Sequence, residues 1–386
     1  MGACISAPVG SAPAAKEIFD QGPFPEEGKK LRKGARLRDV YRVGGTIGAG
    51  GFSKVKIITD RETKQQWACK IMSLPPADSE SKEDQENRTD TLREIDAVLD
   101  LEHPNVVGMK EYFVENNRVY LIMELLRGGE LLDAVNTHGN YSEADARAIF
   151  CQLMRGVQYL HSVGVVHRDL KLDNLLLAKK GDISTVKIAD FGIAMKQHTP
   201  NALHQMRTVC GTSQYIAPEV IRAGKKRSSP KAVPSLNVYG PACDLWSCGV
   251  ILFMLLGGYP PFWNERQPLL LSAIIRGTFS FSDKVWKTVS REAKDLISKL
   301  LVVDPAKRLT PEQVLAHPWM AACKKERPLS QTQERMKSGV GLSKRKTQPG
   351  SPRLHDIIAD ISVKAAQAWF MESNTSLDQL PVAPSE

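Results

Sequence analysis

The stretch VVHRDLKLDNLLL at residues 165–177 gathers side chains that can move a proton and hold charge within a few positions of one another. Asp169 falls in a loop between a helix and a strand, where its carboxylate can accept a proton from an incoming hydroxyl. Lys171 can offset charge on a phosphoryl group in transfer, and Asn174 supplies a neutral oxygen suited to a hard divalent cation. A second acid, Asp190 in KIADFG at 187–192, follows a strand end and can chelate Mg2+ bridging the phosphates of a nucleotide. In IGAGGFSKV at 47–55, Gly48, Gly50 and Gly51 leave the backbone able to approach an anion closely. A glycine-rich hairpin with no ligand fits that segment equally well. Strand-like KVKIIT follows the glycines, so the loop is a flap between two strands, and the strand–glycine–helix order of a dinucleotide fold is excluded. Lys70, in WACKIM, lies on an alternating strand, where a lysine is ordinarily a solvent-facing charge. An ion pair with Glu94, on the amphipathic helix of TLREIDAVLDLEHPNVV, would instead fix its ammonium over the α- and β-phosphates.

The elements that must position these groups follow from hydrophobic periodicity. YRVGGTIG, SKVKIITD, QQWACKIM and VYLIMEL are short β-branched or apolar runs between Gly- or charge-rich turns, a meander interrupted by one helix over about 90–101. After Glu130 the pattern turns helical, as in ADARAIFCQLMRGVQYLHSVG, with two short strand-like runs, NLLLA and STVKIAD, before further helices to about Trp319. The fold class expected is α+β, a small β-rich lobe followed by a larger helical one. With 386 residues, 42% of them hydrophobic and 25% charged, the chain can bury a sizeable core. The longest apolar run, VILFMLLGGYPPF at 250–262, is too short to span a membrane and reads as a buried helix. The seven cysteines (4, 69, 151, 210, 243, 248 and 323) form no CxxC pair, so neither a disulfide framework nor a zinc site is indicated, and a reducing intracellular compartment fits. The net charge of +9 is concentrated in segments, and no basic platform interleaved with aromatics speaks for nucleic acid.

Taken in order and at their ordinary intervals, these residues resemble the protein-kinase signature set. The resemblance continues through YIAPEV (Ala217, Pro218, Glu219), CDLWSCGV (Asp244, Trp246, Gly249) and DPAKRLT, whose Arg308 is the family's usual partner for Glu219. It covers Tyr41 to about Trp319 and implies a bilobal fold with an N-lobe at 41–125 and a C-lobe at 126–319. It also implies ATP and Mg2+ as cofactors and proteins as substrates. Lys171, and Thr212 in GTSQYIAPE, resemble serine/threonine rather than tyrosine kinases. YLIMELLRGGELLDAV, HPW at 317–319 and YPPF at 259–262 look like the calcium/calmodulin-dependent group, which includes the plant and protist calcium-dependent kinases.

By that resemblance Met123 is the gatekeeper beside the adenine, Glu124 and Leu126 are hinge positions, and Ile47, Val55, Ala68 and Leu176 enclose the base. Glu130 is expected at the ribose. Glu130 and Asp173 also resemble carboxylates that receive an arginine three residues before the target, which implies an R-x-x-S/T preference. Arg168 is expected to pair with a phosphate on the activation loop (190–219), with Thr208 as the phosphosite. Two departures stand out. Ser53 replaces the third loop glycine, with Gly51 partly restoring flexibility, and a basic insertion at 222–240 reads as a solvated loop or as a docking site. A scaffold that binds partners without phosphoryl transfer is the competing reading; the presence of Lys70, Glu94, Asp169, Asn174 and Asp190 favours the enzyme.

Beyond the kinase region lie two tails. Residues 1–40 form a leader of Ala, Pro and Gly followed by KKLRKGARLR at 29–38. Gly2 with Ser6 fits M-G-x-x-x-[ST], the N-myristoylation pattern. Because one acyl chain anchors only marginally, Cys4 palmitoylation and the basic cluster are expected to add the second signal. An unmodified disordered leader is the plainer alternative. The expected address is the cytoplasmic face of a membrane bearing anionic lipid. In the other tail, 320–386, residues 324–346 are basic and carry R-x-x-S at Ser330 and Ser338. SPRLHDIIADISVKAAQAWF at 351–370 then reads as an amphipathic helix, near neutral overall. Docking on the kinase domain as an autoinhibitory or stabilising tail is favoured for it over calmodulin binding. No D-x-D-x-D-G calcium loop occurs.

Overall fold

The β-branched runs after Tyr41 pair as their alternation demands. A short helix α1 (Leu37–Val40) leads into β1 (Tyr41–Ala49), β2 (Ser53–Asp60) and β3 (Gln66–Ser73), followed by helix α2 (Lys82–Leu99) and strands β4 (Met109–Glu115) and β5 (Arg118–Met123). They form one antiparallel sheet in the order β1-β2-β3-β5-β4. The computed structural model describes residues 31, 35–49, 53–139, 141–190, 195–196, 213–227, 240–321 and 328–338.

One face of this sheet buries Leu37, Tyr41, Ile58, Cys69, Phe113 and Ile122 as a small separate cluster. The other face packs on α2 and is continuous with the core of the helical lobe. Strand β4 is absent from the sequence reading, because buried Glu111 breaks its alternation. That carboxylate accepts a hydrogen bond from the Tyr41 hydroxyl at 2.5 Å, which makes its burial tolerable. Helix α2 starts at Lys82 rather than near Asp90: Ser81 caps it by accepting from the Asp84 N–H, and its first turns are polar all round, so periodicity starts only at Leu92.

The second lobe begins with β6 (Gly129–Glu130), α3 (Leu131–Thr137) and α4 (Glu143–Ser162), then β7 (Val165–Val166), β8 (Leu175–Leu177), β9 (Val186–Ile188) and β10 (Met195–Lys196). Helices α5 (Pro218–Arg227), α6 (Ala242–Gly257), α7 (Gln267–Arg276), α8 (Arg291–Leu300), α9 (Pro311–Leu315), α10 (Pro318–Ala321) and α11 (Ser330–Ser338) complete it. Helix α6 is apolar on every side and is correspondingly buried from Cys243 to Gly257; Gly258 ends it in the left-handed conformation (φ +78°). Among the described residues no helix is long and apolar enough to cross a membrane. Cys69, Cys151, Cys243 and Cys248 are free thiols.

Past Trp319 the chain returns to this lobe as α11. Met336 joins the hydrophobic core, and polar contacts add to it: the buried Thr332 hydroxyl donates to the Leu256 carbonyl at 2.6 Å, and the Gln333 amide donates to the Val135 carbonyl at 2.7 Å. Arg335 pairs with Asp283 at 2.8 Å. The sequence pattern shows this segment only as a basic tail with R-x-x-S sites, not as a helix. Ser330 and Ser338, its R-x-x-S serines, are exposed at the two ends of the helix.

Candidate active site

The HRD segment is shaped by a carboxylate from another element. Asp244, in the first turn of α6 and 1% exposed, accepts the His167 N–H at 2.9 Å, the Arg168 N–H at 2.8 Å and a hydrogen bond from His161 Nε2 at 2.8 Å. Burial alone would raise its pKa. The His161 hydrogen bond and charge, together with the backbone donors, hold the carboxyl below its ordinary value instead. These bonds fix Arg168 at φ +67°, a conformation that costs a non-glycine residue energy. The ring of His167 points inward: its Nδ1 accepts from the Asp169 N–H at 3.3 Å and its Nε2 donates to the Ala189 carbonyl at 3.2 Å. The loop and the strand end carrying Asp190 are thus joined.

The side chains singled out in the sequence converge here. Lys171 Nζ donates to Asp169 Oδ2 at 2.7 Å, and the Asn174 amide donates to the Asp169 carbonyl at 2.7 Å. The Asn174 backbone carbonyl accepts the Ala189 N–H at 2.8 Å, which sets Asn174 and Asp190 side by side. Asp190, also at positive φ (+62°), receives the Lys70 ammonium on its Oδ1. Burial opposes its charge, but Lys70, with Lys171 adding, keeps the carboxyl below its ordinary value. Glu94 falls on α2, one turn of which buries Ile95; the Glu94 side chain lies outside the described residues.

Between the lobes is a cavity of about 260 Å³. Ile47, Val55 and Ala68 line it from the sheet side, Leu176 from the β8 side, Met123, Glu124 and Leu126 along the connection, and Lys70, Asn174 and Asp190 at the polar end. Each of these was expected at a nucleotide. Gly48 and Glu130 are described but do not line the cavity, whereas Asp173 does. Gly50 and Gly51 lie outside the described residues, as do Gly2, Cys4, Thr208, Cys210, the 228–239 part of the insertion and the 351–370 helix. Sequence reasoning missed the deeper wall formed by Thr91, Ile95, Val98, Val107 and Leu121, whose stripe reads simply as core.

The Glu124 N–H is committed to the Gly108 carbonyl at 2.8 Å, so its carbonyl is what it offers a ligand. Its carboxylate turns outward to Lys187 at 2.9 Å. Gly128 donates to the Leu177 carbonyl at 2.9 Å, at an approach where a Cβ would meet that strand at 2.4 Å. Arg308, with a fully buried side chain, grips both oxygens of Glu219 at 2.8 and 3.1 Å and donates to the Val302 carbonyl. Its guanidinium also lies over the Trp246 ring at 5.3 Å.

The donor set suits a hard cation. Asn174 spends its amide nitrogen on Asp169, which leaves its oxygen to face a metal beside the Asp190 carboxylate. One carboxylate and one amide oxygen are what Mg2+ takes from a protein when phosphates and waters complete its octahedron. Asp190 and Asn174 would hold it, and the ion would screen phosphate charge beside Lys70. Among the described residues no cluster of three His, Cys, Asp or Glu forms a metal site of another kind.

The protein kinase domain family matches residues 41–320. A probable myosin light chain kinase of Dictyostelium discoideum is 37% identical over 308 residues, 80% of this chain and 92% of that protein. A calcium/calmodulin-dependent protein kinase type 1 of Macrobrachium nipponense is 35% identical over 333 residues, 86% of this chain and 87% of that protein. The rabbit (Oryctolagus cuniculus) calcium/calmodulin-dependent protein kinase type II subunit delta is 38% identical over 287 residues, 74% of this chain and 50% of that protein. The chain belongs to the protein kinase family and is a protein serine/threonine kinase similar to the calcium/calmodulin-dependent group.

Proposed function

We propose that this kinase uses Mg2+-bound ATP to phosphorylate serine or threonine three residues after an arginine, and that it does so at a membrane surface. The observation that carries the reading is the cluster of Asp169, Lys171 and Asn174 beside Asp190, with Asn174 and Asp190 lining the polar end of the cavity. Asp169 takes the proton of the acceptor hydroxyl as that oxygen bonds to the γ-phosphorus and the bond to the β–γ bridging oxygen breaks, releasing ADP. Lys171 holds the carboxylate in place and meets the charge of the transferred group. Lys70 steadies the α- and β-phosphates, and the carbonyl of Glu124 with the Leu126 backbone receives the adenine.

The arginine preference rests on Glu130 and Asp173. The Leu172–Asn174 turn, which carries Asp173, packs against β6, which carries Glu130, and Asp173 lines the cavity. Two carboxylates there suit a guanidinium fork. Membrane attachment is supported by the Gly2–Ser6 pattern, by Cys4 and by the 29–38 basic cluster. A degenerate-peptide assay with and without calcium-loaded calmodulin tests the substrate reading and reads out control through the tail. Selection of arginine at minus three, abolished in Glu130→Gln/Asp173→Asn, is expected; proline-directed or acidic selection overturns it. Gly2→Ala is expected to move the protein to the soluble fraction.

A further inference from the structure

Residues 31 and 35–40, at the end of the leader, are built onto the N-lobe. Leu31 makes a parallel bridge with Tyr112 on the edge strand β4, and Leu37 is buried while its N–H donates to the Glu115 carboxylate. Leu31 and Leu37 of the basic cluster therefore lie against folded structure. Beside it is the β2–β3 turn, DRETK. Buried Asp60 organises that turn by accepting the Glu62 and Thr63 N–H groups at 3.0 Å each, and Lys110 neutralises it at 3.2 Å. Asp60 consequently does not cancel the charges the turn displays. The Arg61 N–H donates to the Val40 carbonyl and the Arg61 guanidinium to the Arg38 carbonyl, each at 2.9 Å, so the turn and the leader form one surface. Arg36, Arg38, Arg61 and Lys64 are all exposed there, against exposed Asp39 and Glu62.

We propose that this end of the N-lobe, the β2–β3 turn with Arg61 and Lys64 together with residues 35–38, is a docking face for an anionic lipid surface. The inference rests on the membrane reading above and extends it from the leader to the folded lobe. An acyl chain on Gly2 gives marginal binding by itself, and a second attachment on the same chain adds to it as a bivalent contact. The turn contributes two cations held on a rigid frame, about fivefold in binding each near an anionic surface. The face lies at the end of the sheet opposite the Gly48–Val55 pairing, so docking leaves the cleft open to substrates.

The test uses full-length, N-myristoylated protein sedimented with vesicles of phosphatidylcholine alone or of an equimolar phosphatidylcholine–phosphatidylserine mixture. Arg61→Gln/Lys64→Gln is expected to weaken partition onto the anionic vesicles by about 30-fold, to change nothing on phosphatidylcholine, and to leave activity on a soluble peptide intact. Arg61→Lys/Lys64→Arg is expected to bind as wild type does. If wild type binds the anionic vesicles and the glutamine variant binds equally well, the lobe is not a docking face, and the leader reading stands alone. If wild type ignores both vesicles, the membrane reading falls and takes this one with it. Loss of heparin retention with unchanged vesicle partition would assign the patch to a soluble polyanion and overturn the proposal.

Discussion

Asp244→Asn separates the catalytic loop from the nucleotide cleft. The carboxylate accepts three hydrogen bonds of 2.8–2.9 Å, two of them from the backbone of His167 and Arg168. An asparagine keeps one acceptor oxygen, loses the charge and turns an NH2 group toward a donor. Hydrogen bonds to a buried charge contribute roughly 1.5–3 kcal/mol each, so losing one and opposing a donor with a donor costs about 3 kcal/mol. For a domain of this size that lowers Tm by roughly 6–12 °C. The same bonds hold Arg168 at φ +67°, which relaxes without them and shifts the adjacent Asp169. A displacement near 1 Å costs about 100-fold in kcat. Lys70, Val55, Ala68 and Met123 belong to the other lobe, so nucleotide affinity should stay within about threefold by this reasoning. The assay is kcat on a basic peptide beside nucleotide affinity by titration calorimetry. Because the folded-state pKa of Asp244 lies below the ordinary 3.8, its contribution is complete above that value and is lost as pH falls through the folded value. The stability gap between wild type and variant should hold across neutral pH and close only in acid. An unchanged kcat, or a nucleotide affinity falling in step with it, refutes the argument.

Gly128→Ala places a Cβ 2.4 Å from Leu177, which forces β6 away from β8 and disturbs Leu176 and Glu130 together. A nucleotide KM about tenfold higher is expected, from 1–3 kcal/mol of overpacking, and an unchanged KM would show the strands to be slack. Thr332→Val leaves the Leu256 carbonyl without its donor at a buried site. Urea denaturation should show a loss of about 1–2 kcal/mol, whereas an unmoved midpoint would mean that α11 does not unfold with its lobe.

The groups proposed for the chemistry were legible because their spacing survives folding: Asp169, Lys171 and Asn174 lie within one short loop that ends in the Leu172–Asn174 turn. What was not legible depends on burial of polar atoms. Strand β4 hides behind Glu111, whose partner Tyr41 is far away in sequence, and α11 docks through Thr332 and Gln333, residues that a hydrophobic pattern passes over. Asp244 was seen as part of a motif, but nothing local shows that it shapes the loop containing His167 and Arg168. An acid opening an otherwise apolar helix was the available clue, since a buried carboxylate must find donors. Lining residues such as Ile95 and Val98 were visible as core, and only the sheet's placement makes one side of that core a cavity wall.

The ion pair between Lys70 and Asp190 spans the joint between the lobes. On binding of nucleotide and cation, Lys70 would exchange a carboxylate for phosphate oxygens, and Asp190 an ammonium for the metal. Each end would trade one counter-charge for another rather than lose it, and release of product would reverse the trade. The resting enzyme thus carries its own competitor for the phosphate site: raising the strength of that internal pair would slow loading, and weakening it would leave two unmatched charges in the open cleft.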